Sequence, residues 1–140
     1  MEITAATAQT VSSNQNVLFT DEAVVNNGCT ILHRQGSGLV TLRSLPYQRR
    51  TRYKVSFSGN VSLPSTGTAA PIYLAIAING EGLNTAAMIA TPAAVSEYSN
   101  VSAETLIDVP QGCCSIVSIK NTGSADVLVQ NANLIIERVF

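Results

Sequence analysis

Charge is scarce in this sequence. Only 12% of its 140 residues are Asp, Glu, Lys or Arg, about half the ~25% usual for a globular chain. Ser, Thr, Asn and Ala take the place of the missing Lys and Glu, a surface that suits a densely packed assembly or a secreted or virion setting. The net charge of −1 excludes the broad basic field of a nucleic-acid binder. Aromatics make up 5% and tryptophan is absent, leaving Tyr47, Tyr73 and Tyr98 as unclustered candidates for a sugar platform. A single histidine, His33, gives acid–base catalysis little to work with. The three cysteines form an odd, sparse set, which argues against a disulfide scaffold and for reduced thiols made in the cytoplasm. No stretch approaches the ~18 apolar residues of a membrane helix. The opening Met1-Glu2-Ile3-Thr4 lacks the basic and apolar regions of a signal peptide, so the chain reads as soluble, cytoplasmically made and complete from Met1.

What is present has a period of two. The stretch 71–79 (Pro-Ile-Tyr-Leu-Ala-Ile-Ala-Ile-Asn) is almost wholly apolar. Ile72, Leu74, Ile76 and Ile78 fall on one face of a strand, and Tyr73, Ala75 and Ala77 on the other. Neither face is polar, so the strand is expected to be covered on both sides. Asn79-Gly80 follows, a strong hairpin signal. Before it, Thr51, Tyr53, Val55 and Phe57 alternate with Arg50, Arg52, Lys54 and Ser56. Tyr53, Val55 and Phe57 are therefore core residues alongside the isoleucine face. Later, Ala103, Thr105, Ile107 and Val109 alternate with Glu104, Leu106 and Asp108. Pro110-Gln111-Gly112 fits a tight turn. Residues 113–120 form the next strand, and 127–129 with 134–136 a final long one.

The remaining stretches are plainer. Residues 1–16 read as an extended arm or first edge strand, leaving 17–140 as the domain proper. Val17-Leu18-Phe19 is the first firm apolar cluster. Asn26-Asn27-Gly28 signals a turn, after which Cys29, Ile31 and His33 alternate. Residues 39–42 form a further strand, and 59–70 a loop. Residues 83–94 read as a strand, with a short helix the competing assignment because of Ala86-Ala87-Met88-Ile89-Ala90. Strand signals thus recur about every ten residues with turn chemistry between them, the mark of an all-β sandwich or barrel. The length fits one domain, able to bury roughly two-thirds of its unfolded surface and to fold without metal or disulfide.

Sites for chemistry are few. A Cys–His pair of His33 with Cys29 or Cys113 lacks a supporting Asn or Asp, so His33 is expected to be exposed or capping. A structural zinc site needs four ligands, and adjacent Cys113 and Cys114 point to opposite faces of a strand. One of these two is expected to enter the core and the other the opposite face, as small hydrophobes, with a structural role for the cysteines. Glu104 and Asp108 share a face but lie about 13 Å apart, too far for paired-acid glycoside hydrolysis. The run Arg49-Arg50-Thr51-Arg52-Tyr53-Lys54 has three readings. It contacts phosphate, it is a solvated face, or it pairs with Glu104, Asp108 or Glu137 of a neighbouring strand or subunit, which we prefer. Asn60-Val61-Ser62 and Asn100-Val101-Ser102 match glycosylation sequons by chance. No catalytic residue, metal or cofactor is expected.

Four motifs occur in order: Tyr53-Lys54-Val55-Ser56-Phe57, Ile76-Ala77-Ile78-Asn79-Gly80-Glu81, Leu106-Ile107-Asp108-Val109-Pro110-Gln111-Gly112 and Ala132-Asn133-Leu134-Ile135-Ile136. Their order resembles the trimeric jelly roll of the complement-globular-head and tumour-necrosis-factor group. It is closer still to short proteins of phages and prophages of Gram-positive bacteria. Unlike the animal members, this chain has no collagen-like stalk, no Gly two residues before Tyr53 and no acidic calcium cluster. The resemblance implies a two-sheet antiparallel jelly-roll sandwich of about eight to ten strands, assembled as a homotrimer. Strands beginning near Thr51, Ser102 and Val127 would share a sheet. Its outer face, with Arg50, Arg52, Lys54, Glu104, Leu106, Asp108 and Glu137, would be where subunits pack. The implied role is a non-enzymatic virion component: a decoration, fibre-tip or host-contact module made in the bacterial cytoplasm. Its partners would be other copies, other virion proteins or a host-surface glycan, with no nucleic acid and no membrane insertion. A carbohydrate-binding jelly roll is the alternative. The same topology would leave the Tyr73-Ala75-Ala77 face open.

Overall fold

Two antiparallel sheets stack face to face around one apolar layer. The computed structural model describes residues 1–25, 28–112 and 114–140, and the described residues form eleven strands. One sheet runs β3 (Asp21–Val24), β1 (Glu2–Ala5), β11 (Val127–Arg138), β6 (Arg50–Ser62) and β9 (Ser99–Pro110), with β2 (Gln9–Val11) also paired to β11. The other runs β4 (Ile31–His33), β5 (Val40–Arg43), β10 (Cys114–Asn121), β7 (Ile72–Ile78) and β8 (Glu81–Ala90). This is the sandwich that the strand spacing predicts. The expected turn at Asn26-Asn27 and the position of Cys113 lie outside the described residues.

The period-two pattern of β6 buries Tyr53, Val55 and Phe57. Ile72, Leu74 and Ile76 of β7 enter the same core from the opposite sheet. Each such aliphatic or aromatic side chain contributes about 1.5–3 kcal/mol by leaving water. Ile78 is only half-buried, because it sits at the end of β7 where the hairpin turns away. That hairpin has Asn79 and Gly80 both at positive φ, the conformation of a two-residue turn matched to strand twist. Residues 83–90 are strand, within β8.

Several expectations need correcting. Within the first sixteen residues β1 is an inner strand rather than an arm or edge strand, while β2 pairs with β11 alone. β1 pairs with β11 on one side and β3 on the other, and Ile3, Ala5 and Val11 are buried in the core. Val17 and Phe19 reach the deep core without belonging to a strand. Phe19 meets Phe57 edge to face at 6.5 Å. Gly38 permits this path, since a Cβ there would lie 2.5 Å from the Val17 carbonyl oxygen. Cys29 is exposed rather than buried, and Cys114 is exposed on the face away from the core, as expected of one of the adjacent pair. Cys29 precedes the short β4 instead of alternating within it, and Cys114 takes the outward parity of β10.

The second face of β7 is covered by its own chain. Ala75 and Ala77 are buried, and Tyr73 is partly open. Lys120 pairs with Ala75 and its Nζ donates to the Gly80 carbonyl at 2.9 Å, so its stem runs along this face. Ala75 also faces Gly82, against which Thr122 sits closely. The expected covering on both faces therefore holds for the alanines.

Candidate subunit interface

β6 is flanked by β9 and β11, and their outward side chains form transverse rows. Arg50 lies opposite Pro110, Arg52 opposite Asp108, and Lys54 opposite both Leu106 and Glu137. Above them come Glu2, Ile135, Ser56 and Glu104, then Thr4, Asn133, Ser58 and Ser102, then Gln130, Asn60 and Asn100. All seven residues expected on this face are there.

Its three cations are paired within the chain. Arg52 holds Asp108 through two parallel bonds, Nε to Oδ1 at 2.7 Å and Nη2 to Oδ2 at 3.0 Å. This fork geometry suits guanidinium and carboxylate. Arg50 adds a contact at 3.5 Å to the same carboxylate. The Arg52 bond holds the Asp108 carboxyl below its ordinary range, and the same bond raises the Arg52 guanidinium. Lys54 turns diagonally to Glu104 at 3.5 Å, which also accepts from Ser56 Oγ at 2.9 Å. Glu137 faces Lys54 in register but makes no ion pair among the described residues. The preferred reading of the basic run thus takes its neighbouring-strand form.

Two large apolar side chains stand out of this neutralised face. Leu106 is 60% exposed and Ile135 is 42% exposed. Beside Ile135, a shallow depression of about 390 Å³ is floored by Ser56, Ser58 and Ala103 and rimmed by Glu104 and Asn133. The two uppermost rows carry no charged side chain; Asn133 donates to Glu2 of the row below at 2.7 Å, and Asn100 donates to Asn60 at 3.2 Å. Sequence reading did not include Ile135, Glu2 or Thr4 in the face. Ile135 had a signal, since it shares parity with Glu137. Glu2 and Thr4 had none while the first residues were taken as an arm.

Elsewhere the expected chemistry is differently placed. The His33 side chain is fully buried and not exposed or capping, with Nδ1 3.2 Å from Glu22 Oε1 and Nε2 2.9 Å from the Ser37 carbonyl oxygen. Among the described residues the partners of its side chain are the Glu22 carboxylate and the Ser37 carbonyl, neither a Cys nor a Ser nucleophile. Among the described residues, no three His, Cys, Asp or Glu side chains come together as a metal site. Tyr47, Tyr73 and Tyr98 are all exposed. Tyr73 lies on β7, Tyr47 in the loop before β6 and Tyr98 in the loop before β9, and the ring contact found among the described residues is Phe19 with Phe57.

This sheet arrangement is the jelly roll of complement-head and tumour-necrosis-factor-like proteins. The chain is similar to the globular domain of zebrafish complement 1qA, with a TM-score of 0.64, 14% identity and coverage of 96% of this chain and 93% of that one. It is also similar to murine APRIL, with a TM-score of 0.54, 13% identity and coverage of 95% and 96%. A family 35 carbohydrate-binding module of Cellvibrio japonicus Abf62 aligns over 100% and 98% of the two chains at 12% identity, with a TM-score of only 0.40. No protein-family model matches the chain, and no curated protein sequence matches it. At these identities the likeness establishes the fold alone.

Proposed function

We propose that this chain is a non-enzymatic structural and binding module that works as a homotrimer, with the outer face of the six-stranded sheet packed against neighbouring copies. One observation carries the reading: Leu106 and Ile135 stand exposed on a face whose cations are satisfied by carboxylates of the same chain. Desolvating paired charges costs less than desolvating lone ones. Apolar anchors amid a polar surround are the usual anatomy of a protein–protein contact. The trimer itself comes from the family resemblance, which the shared fold supports without assigning a role.

The finer proposal is a virion component of a phage or prophage, made in the bacterial cytoplasm and serving as decoration, fibre tip or host contact. It rests on the resemblance to short phage-encoded proteins and on the low-charge surface. Mass spectrometry of purified particles tests it: the chain should co-purify with virions, and its absence from them removes the proposal. Binding on a glycan array would instead favour the carbohydrate module.

For the assembly, Leu106→Glu is the informative variant. Leu106 contributes nothing to the core of its own subunit, so the variant should keep its fold and lose its oligomeric state. A variant that stays associated places the subunit contact elsewhere.

A further inference from the structure

We propose that His33 is a proton-dependent latch joining the two sheets along one side of the sandwich. β4, which carries His33, is an edge strand of the five-stranded sheet, and β3, which carries Glu22, is an edge strand of the six-stranded sheet. Among the described residues, His33 with Glu22 is the one imidazole– or cation–carboxylate contact that crosses between sheets, an ion pair when the ring is protonated. Both edge strands are short, three and four residues, and β3 meets β1 through an irregular register. Little ladder pairing therefore holds either strand in place.

The ring has no exposed surface, so water does not complete its bonding. Its Nε2 faces a backbone carbonyl and its Nδ1 a carboxylate. Both partners accept only, while a neutral imidazole has one donor and one acceptor. The ring satisfies both contacts only when each nitrogen carries hydrogen. The Ser37 carbonyl is pinned independently, since it also accepts from the Phe19 amide at 3.3 Å. When the Nδ1 proton leaves to solvent, the Glu22 contact becomes acceptor against acceptor, and the β3 side is the part released.

The surrounding charges do not replace Glu22. Asp21 neighbours it on β3 and points to the other face, where Thr20 Oγ1 donates to it at 3.2 Å. Arg34 follows His33 and is exposed. The Met1 amine lines the same concavity but donates to the Ile136 carbonyl at 2.8 Å. β5 places Val40 opposite His33. Release would uncover the unpaired backbone of two edge strands, a surface prone to pairing with other chains.

Amide hydrogen exchange of the whole protein at pH 5.5 and pH 8.0, corrected for intrinsic rates, tests the latch. Protection of residues 21–24 should fall about tenfold or more at the higher pH, the size expected of one charge-assisted hydrogen bond, while β6 stays unchanged. Nitrogen NMR of the His33 ring at both pH values should show the Nδ1 hydrogen present where the edge is protected and absent where it is not. Glu22→Gln supplies a donor to a neutral ring, so this variant should hold the edge at both pH values. Equal protection at both pH values in the wild type overturns the proposal. So does a ring that keeps the same protonation throughout, or an unchanged pH response in Glu22→Gln.

Discussion

Asn121 shows how one side chain can hold distant parts of this chain together. It is fully buried at the end of β10. Its Nδ2 donates to the carbonyls of Val11 at 3.0 Å and Ala125 at 2.8 Å, and its Oδ1 accepts from the Gly123 amide at 3.0 Å. Its backbone bonds Asn14 and Gln15 as well. Replacing it by Ala strands buried backbone groups, at a cost of about 1–3 kcal/mol for each group left unsatisfied. Asn121→Ala should lower stability by about 2–4 kcal/mol in urea denaturation, with hydrogen exchange rising first in β2. Tyr53 acts comparably on the core side. Its hydroxyl donates to the carbonyls of Arg43 and, at 3.4 Å, Thr30, fixing the start of β4 and the end of β5. Burial pushes its phenol pKa up, which keeps the donor hydrogen in place. Tyr53→Phe should cost about 1–2 kcal/mol by the same measurement. Neither role was legible in the sequence, although Tyr53 was read as core. Asn121 looks like an ordinary turn residue before Gly123, and the partners of both side chains are carbonyls, which every residue possesses. His33 was missed for the same reason, since a lone histidine in a polar stretch does not reveal that Glu22 and Ser37 close over it.

Among the elements, β6, β7 and β9 were legible because long strands repeat the in–out alternation several times. β1 and β2 were not, because four and three residues rich in Thr and Ala give too few repeats to show which face is buried. What makes β1 an inner strand is its partners on either side, Asp21–Val24 and the end of β11, and these lie far off in sequence. A core truncation in β7 should therefore be severe: Ile76→Ala should cost about 2–5 kcal/mol in urea denaturation. The β6–β9 ion pair behaves differently, being open to solvent. Asp108 titrates below its ordinary range because Arg52 donates to it. Its contribution is thus present above the unfolded carboxyl's pKa and is lost as pH falls through the lower folded value. The difference in urea midpoint between wild type and Asp108→Asn should be small at pH 7 and vanish as the solution becomes strongly acidic. A gap that widens in acid would show that the pair does not depress the Asp108 pKa.

For the whole molecule, the seven face residues were legible because β6 and β9 show clear alternation and the family resemblance placed them beside β11. Ile135 escaped because Leu134-Ile135-Ile136 reads as one apolar block, in which parity alone separates the outward residue from its buried neighbours. A charge-poor chain with two apolar side chains on a face whose cations are already paired suits being covered, and in the proposed homotrimer neighbouring copies would supply the cover. Ile135→Glu, like Leu106→Glu, should leave the unfolding free energy of the isolated subunit, read by urea denaturation, within about 0.5 kcal/mol while dissociating the assembly. The most direct test is the solution mass of the wild-type protein by sedimentation equilibrium. Three times the 14.7 kDa chain mass, unchanged over a hundredfold dilution, is the predicted result. A single chain mass at every concentration would contradict the account.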